Sequence, residues 1–346
     1  MLKTHNNSVR GFLIPCLCCI VLLWTLTACT PQLSSNPDDT DSEETTSPSN
    51  DNTTEDTTTE DTDDVSTTDA TDSSGEDDSI EDPIEEDPAP EDPIEPTVVC
   101  NSYDSFPTGV AIDANLLNVP VPYEPSGITW NATTQKLFLV SDEGVATQMN
   151  ADGTSVFDWN LSGDYEGITF ADADSKFVYI GLEKPNDSIL EFNTETGLIT
   201  RTFDLSPWMD VDATDVNLGL EALTFVPNAS HPEGGTFWAG LQETGEIFEF
   251  SLPLVSSSSS TTVTFVNSFL PSTGHTQISD LFYNEADDHV YALYRGTMTQ
   301  LTTDGTFVDE WSVPGSSQEG LAIDSATCTV FIAEDSGAVY SYDFSQ

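Results

Sequence analysis

The chain has 346 residues and a formal net charge of −54, because 61 Asp and Glu residues are set against only 7 Lys and Arg residues. A protein this negative repels nucleic acid and anionic lipid and attracts cations, which argues against a DNA- or RNA-binding function. Composition changes twice along the chain and divides it into three regions, 1–28, 29–98 and 99–346.

The first region has the layout of a secretory signal. Lys3 and Arg10 precede an apolar run from Gly11 to Leu26, and the run leads into LTAC, with Cys29 last. LTAC resembles the bacterial lipoprotein box, which implies removal of residues 1–28 and acylation of Cys29, palmitate being one such acyl group. The alternative is a transmembrane anchor, since the apolar run is close to the ~18 residues needed for a span.

A lipidated Cys29 would hold the protein to a membrane surface. Thr30 follows Cys29. Lipoproteins of Gram-negative bacteria that stay in the inner membrane usually have Asp at this position. The expected location is therefore the cell envelope, at the outer membrane or cell surface.

The second region is an acidic linker. Residues 30–98 contain 25 Asp and Glu residues and no Lys or Arg, among Thr, Ser and Pro. Such a segment cannot bury a core and its like charges repel, which predicts a disordered, extended spacer. A tag for export or for partner binding is the alternative.

Residues 99–346 contain a five-fold internal repeat. Each unit begins with a short motif and continues with further short apolar runs separated by turns, at intervals of roughly 40 residues. The five motifs are PSGITW (125–130), YEGITF (165–170), LEALTF (220–225), ISDLFY (278–283) and QEGLAI (318–323). Four strands per unit predict an all-β, five-bladed β-propeller, with six blades as the alternative.

The ends of this region predict how the ring closes. The last unit supplies only three strands, and GVAIDANLL (109–117) is an unassigned strand-like stretch before the first unit. We expect that stretch to complete the last blade, which would leave no open edge. Cys100 and Cys328 then fall on the face opposite the motif heads, and in an oxidising compartment they predict one disulfide.

These units, among them SGITWNATTQKLFLVSDEG and QEGLAIDSATCTVFIAED, resemble the SdiA-regulated family of bacterial β-propellers, which includes calcium-regulated propeller proteins. The resemblance covers about residues 120–346. Related propellers, including esterase-like phytases, share parts of the motif set. The linker lies outside the family pattern, and so does SD in the fourth unit, where the family has an acid followed by a glycine.

In a propeller, the head of each motif lies at one mouth of the central channel, and the second strand of each blade returns to that mouth. The gathered carboxylates would repel one another unless a cation neutralised them, and oxygen ligands favour Ca²⁺ or Mg²⁺. The predicted metal ligands are Glu166, Glu221, Glu319, Asp142, Glu183 and Asp335. The predicted ligand-binding residues beside them are Ser126, Gln242, Ser279, Arg295 and His275. A loop with Asp210, Asp212 and Asp215 should reach the same face.

Alternatives stay open for the head glutamates and for the function. The head glutamates could lock neighbouring blades by accepting backbone N–H groups, and Arg295 could neutralise them as a salt bridge. For the function we expect a non-enzymatic binding or scaffold protein, a monomer that meets an unidentified protein or small ligand at the propeller face. It could instead be a metal-dependent phosphoesterase or esterase of the phytase-like type, in which a metal activates water. The nucleophile elbow G-x-S-x-G, H-E-x-x-H and the P-loop are absent from the sequence.

Overall fold

The structure, a computed structural model, describes residues 100, 102–112, 123–209 and 218–345. The predictions for Cys29, for the rest of 1–98, for 113–117 and for the aspartates at 210–217 lie outside the described residues. Within the described part of the chain there is no helix, and therefore none that is long and apolar enough to cross a membrane.

The described residues form twenty β-strands. In chain order these are β1 (Val110–Ile112), β2 (Pro125–Asn131), β3 (Lys136–Ser141), β4 (Val145–Asn150), β5 (Phe157–Asn160), β6 (Asp164–Thr169), β7 (Phe177–Lys184), β8 (Ser188–Asn193), β9 (Leu198–Asp204), β10 (Leu220–Pro227), β11 (Gly235–Leu241), β12 (Ile247–Ser251), β13 (Thr264–Phe269), β14 (Ile278–Asn284), β15 (His289–Tyr294), β16 (Thr297–Thr302), β17 (Phe307–Ser312), β18 (Gln318–Asp324), β19 (Thr329–Glu334) and β20 (Ala338–Asp343).

The strands build five antiparallel sheets of four strands each. Blades one to four are consecutive in sequence, namely β2–β5, β6–β9, β10–β13 and β14–β17, and blade five has the order β18-β19-β20-β1. The inner strands β2, β6, β10, β14 and β18 contact one another in ring order. The predicted five-bladed β-propeller is therefore confirmed, with five blades and not six.

The N-terminal strand closes the ring as predicted. Val110 pairs with Ser341 and Ile112 with Val339, so β1 is the outer strand of blade five. Cys100 is bonded to Cys328, which lies in the turn between β18 and β19 and so at the end opposite the motif heads. The bond joins positions 228 residues apart, and thereby ties the start of the domain to its last blade.

The core lies between the blades, because the neighbouring blades cover both faces of each blade near the axis. This explains why the first and second strands of a blade are buried along most of their length and do not alternate between buried and exposed residues. Residues 330–333 of β19, for example, are all buried, whereas the outer strand β17 is almost wholly exposed. Aromatic rings join blade two to blade three, where the centroids of Tyr179 and Phe237 lie 4.8 Å apart.

Candidate functional site

The five motif heads share one local geometry. In every blade the pairing of the inner strand with the second strand skips one position, which marks a β-bulge. The skipped residues are the heads themselves, namely Ser126, Glu166, Glu221, Ser279 and Glu319. A bulge redirects the side chain of its extra residue and is common beside active sites. The repeat therefore preserves five redirected side chains at one end of the channel.

The residue after the head explains the glycine in the motif. A Cβ on Gly127 would lie 2.6 Å from the carbonyl oxygen of Glu166 in the next blade, and one on Gly167 would lie 2.7 Å from the Cβ of Leu223. Neither distance is tolerable, so glycine permits neighbouring inner strands to approach this closely. The approach brings the bulges, and hence the heads, near one another around the axis.

Blade four departs from this arrangement. Its bulge carries Ser279, and the carboxylate belongs to Asp280, which is fully buried. Asp280 Oδ2 accepts the backbone N–H of Leu321 at 2.7 Å, and Oδ1 accepts that of Leu281 at 2.8 Å. The carboxylate therefore lies between inner strands, where burial raises the pKa of Asp280 well above its usual range.

The three head glutamates form the centre of what we call the acidic mouth, which also includes Asp142, Glu183 and Asp335. Burial, and then the charge of Asp164, raises the pKa of Glu166 to about 9. Burial, and then the charges of Glu166 and Glu319, raises the pKa of Glu221 well above its usual range. These mutual effects show that carboxylates of blades two, three and five influence one another across the axis.

Few positive groups compensate this charge. Arg295 Nη2 donates to Glu319 Oε1 at 2.9 Å, and the Arg295 side chain is 45% exposed. The Lys184 ammonium is bound by Asp164 and by Glu183, the latter at 3.0 Å. Gln242 donates a neutral hydrogen bond to Glu221. Arg295 and Lys184 are thus already paired with carboxylates, and Asp142, Glu166, Glu221 and Asp335 have no basic partner among the described residues.

One carboxylate oxygen is left without any donor. Glu319 is only 4% exposed, and its Oε2 is buried without a hydrogen-bond partner among the described residues. Burial and then the negative charge of Asp335 raise the pKa of Glu319 to about 7. A buried carboxylate oxygen with no donor is costly unless it binds a proton or a cation.

The structure assigns blade locking to other residues. Glu183 Oε1 accepts the N–H of Gly219 at 2.8 Å, and Asp187 Oδ1 accepts that of Leu220 at 2.8 Å, so both tie blade two to blade three. Asp280 does the same between blades four and five. Among the described residues no backbone N–H donates to the carboxylates of the three head glutamates. The head glutamates therefore do not lock blades in the way that Glu183, Asp187 and Asp280 do.

Two groups of carboxylates lie close enough to share a metal ion. Asp164, Glu166 and Glu183 each place a carboxylate oxygen within 4.8 Å of the others, and so do Glu124, Asp142 and Glu143. Burial, and then the charge of Glu143, raises the pKa of Asp142 to about 7. Both groups consist only of carboxylates, the ligand type that Ca²⁺ and Mg²⁺ prefer.

Comparison with known proteins gives the family. The model of the phytase-like family, described as "Esterase-like activity of phytase", matches residues 129–308. The chain belongs to the phytase-like family. Among the curated proteins compared, none matches this phytase-like chain. Of the solved structures, glutaminyl cyclase from Myxococcus xanthus is similar, with a TM-score of 0.46 and 11% identity over 69% of this chain and 94% of that one.

The remaining predicted residues of this phytase-like propeller lie around the mouth with different contacts. The Ser126 hydroxyl donates to the carbonyl oxygen of Glu124, and that of Ser279 to Leu293, both at 3.4 Å. His275 Nε2 lies 2.7 Å from Glu310 of the outer strand β17, and not with the carboxylates around the axis.

Sequence reasoning missed Glu124 and Asp164, each of which belongs to one of the two carboxylate groups. A signal was present, since both lie two positions before the head residue of their blade. An acidic residue occurs at this position only in blades one and two, because the corresponding residues of the other blades are Gly219, Gln277 and Ser317.

Proposed function

We propose that this propeller binds a divalent cation at the acidic mouth and acts as a binding or scaffold protein. The observation that carries the proposal is the set of three head glutamates on β-bulges. Glu221 and Glu319 are buried and Glu166 is half-buried; they repel one another, and among the described residues no backbone N–H donates to their carboxylates. Without a metal, such carboxylates retain protons. A cation can displace those protons and satisfy Glu319 Oε2 at the same time.

The donor atoms favour calcium over magnesium or zinc. The candidate ligands are carboxylate oxygens, grouped in blade one and in blade two, and calcium accepts six to eight oxygens in irregular geometry. Magnesium requires a nearly ideal octahedron, and zinc prefers His and Cys. The one imidazole predicted for this mouth is paired with Glu310, which removes the most obvious zinc ligand.

We extend the proposal to the whole chain through its sequence. The SdiA-regulated resemblance suggests a calcium-linked propeller, and LTAC suggests a lipoprotein that is anchored through Cys29 in the cell envelope and carried on the acidic linker. The propeller would be a monomer whose acidic mouth meets a protein or small ligand. Metabolic labelling with palmitate tests the anchor: wild type should incorporate the label, and Cys29→Ser should not.

A hydrolase is the second candidate, because the family is described by esterase-like activity of phytase. A bound cation could lower the pKa of water and polarise an ester. Phosphate substrates also need positive charge from the protein, and Lys184 is already bound by Asp164 and Glu183. Arg295 is the other base described at this mouth, and it is paired with Glu319. This shortage of positive charge is why binding is preferred over hydrolysis.

Two measurements on the full chain test these functions together. Titration calorimetry with Ca²⁺, and separately with Mg²⁺, should show saturable binding that is tighter for calcium. Hydrolysis of p-nitrophenyl phosphate and p-nitrophenyl acetate should stay at background with calcium present. Absence of calcium binding would contradict the cation site. Calcium-dependent hydrolysis that is lost in Glu166→Gln would contradict the scaffold function and support a hydrolase.

A further inference from the structure

The channel has a second opening, at the end opposite the acidic mouth. A cavity of about 660 Å³ lies there, lined by the last residues of all five inner strands and by the turns that follow them. This volume is within the range of sites for small organic ligands. None of the residues assigned to the acidic mouth lines it. We call this cavity the opposite mouth.

The walls of the opposite mouth are partly aromatic. Trp130 and Tyr283 line it and are half-buried. The ring of Trp130 stacks on Phe331 with centroids 5.9 Å apart. Phe170 lines the cavity between them and packs edge-on against Phe138. Half-exposed rings in a concave site offer both apolar surface and the negative face of a π-system.

The rim of the opposite mouth carries charge of one sign. Its lining includes four carboxylates, from Asp172, Asp174, Glu285 and Asp324, and no Lys or Arg. The two oxygens of Asp324 are used locally, by the N–H of Ala326 and the hydroxyl of Thr327. Glu285 is exposed, and no hydrogen bond to its carboxylate occurs within the described residues. Asp174 uses Oδ1 to accept the Thr133 hydroxyl at 3.0 Å, which leaves Oδ2 for a ligand.

We propose that the opposite mouth binds an organic cation with an apolar body, such as a quaternary ammonium compound. The rings supply cation–π and apolar contacts, and the rim carboxylates supply charge complementarity. The strongly negative propeller raises the local concentration of cations at both mouths. An anionic or phosphorylated ligand finds no basic group in the lining. A bare metal ion would gain little from the aromatic walls, so the ligand class differs from that of the acidic mouth.

Benzyltrimethylammonium is a suitable probe, and benzyl alcohol is its uncharged counterpart. Calorimetry on the full chain, with tryptophan fluorescence as a second readout, should show one saturable site for the cation. We expect the alcohol to bind at least about tenfold more weakly, since a loss of about 1.4 kcal/mol corresponds to that ratio. Calcium at saturation should not displace the cation, because the two sites lie at opposite ends.

Variants locate the site. Glu285→Gln with Asp174→Asn should weaken binding of the probe about tenfold or more, and Trp130→Leu should weaken it similarly. Glu195→Gln is the matched control: it removes a carboxylate that is 67% exposed and is not part of the lining. Glu166→Gln should also leave binding unchanged. If Trp130→Leu fails to fold, the double carboxylate variant decides, since Glu285 is exposed and Asp174 accepts one exposed hydrogen bond, from Thr133.

The proposal is overturned by any of three results. The first is no binding of the probe up to about 10 mM, which corresponds to a free energy too small for a built site. The second is equal binding of cation and alcohol. The third is loss of binding in Glu166→Gln with none in the rim variant, which would place the organic cation at the acidic mouth.

Discussion

Replacing Glu166 and Glu319 together with glutamine separates a cation site from a structural one. Each substitution removes a charge and keeps the length of the side chain. Calcium at a hundredfold excess over Kd would stabilise the wild type by about 2.7 kcal/mol. For a domain of about 250 residues this corresponds to a rise in Tm of about 5–10 °C. We expect the double variant to lose most of that rise, because two of the central ligands are gone.

The metal-free proteins should differ in the opposite direction. Burial and the charge of Asp335 raise the pKa of Glu319 from 4.5 to about 7, so ionising this group above pH 7 costs the fold on the order of 3 kcal/mol. Glutamine avoids that cost. It also weakens the contact with Arg295, but an ion pair whose base is 45% exposed contributes only about 0–1 kcal/mol. The double variant should therefore be more stable than wild type in a chelator, by about 1–3 kcal/mol.

Thermal melts and urea unfolding at about pH 8, with a chelator and then with a calcium series, measure both effects. Glu195→Gln is the control for the loss of one negative charge, since its carboxylate is 67% exposed and pairs with Lys176 and not with a residue of the mouth. Wild type that does not respond to calcium, together with a double variant that is less stable at every calcium concentration, would refute the cation site. The glutamates would then be structural residues.

Three further outcomes are expected. Cys100→Ser should lower the free energy of unfolding by up to about 5 kcal/mol, because the bond closes a loop of 228 residues; a reductant should lower the Tm of wild type but not of the variant, and an equal effect on both would contradict this. In a chelator, urea unfolding should show stability falling as the pH rises from about 5 to about 9, because the pKa of Asp142 is raised to about 7 and that of Glu166 to about 9, mainly by burial. A carboxyl whose pKa is raised in the fold stabilises it below the unfolded pKa and loses that contribution as the pH passes the folded pKa, so rising stability across this window would contradict the pKa shifts. Asp280→Ala should cost about 2–4 kcal/mol by leaving the N–H groups of Leu281 and Leu321 unpaired; a loss below about 0.5 kcal/mol in urea unfolding would contradict the locking role.

The fold was predictable because a propeller repeats its signal. Five motif heads, four short strands per unit and an incomplete last unit favoured five blades over six and predicted the place of β1 before any contact was known. Cys100 and Cys328 followed from the same register, since alternate strand ends of a blade return to one face. Each of these inferences depends on strand order alone, which is why weak local patterns were sufficient.

The site was less predictable because its geometry depends on backbone register. A bulge adds one residue to one strand without altering the apolar pattern that identifies the strand. The sequence therefore located Glu166, Glu221 and Glu319 at the mouth but could not show that each is a bulged residue. Nor could the sequence show that Glu183 accepts an N–H from Gly219, because these two residues lie in different blades and are 36 positions apart.

Blade four shows why the one-residue offset matters more than the number of carboxylates. Blades two, three and five have an acid followed by a small residue, and Ser279 and Asp280 reverse that order. In the structure this exchange changes the position of the carboxylate. The bulged residue points to the mouth, whereas the next residue lies against neighbouring inner strands, so the carboxylate of Asp280 is withdrawn from the ring and buried. Arg295, at the mouth end of the same blade, pairs with Glu319 of blade five. Because both changes reduce negative charge on one side, the acidic mouth is polarised toward blades one and two, where both groups of carboxylates able to share an ion are found. A cation bound at this mouth should accordingly lie off the axis, nearer to Glu166 than to Glu319.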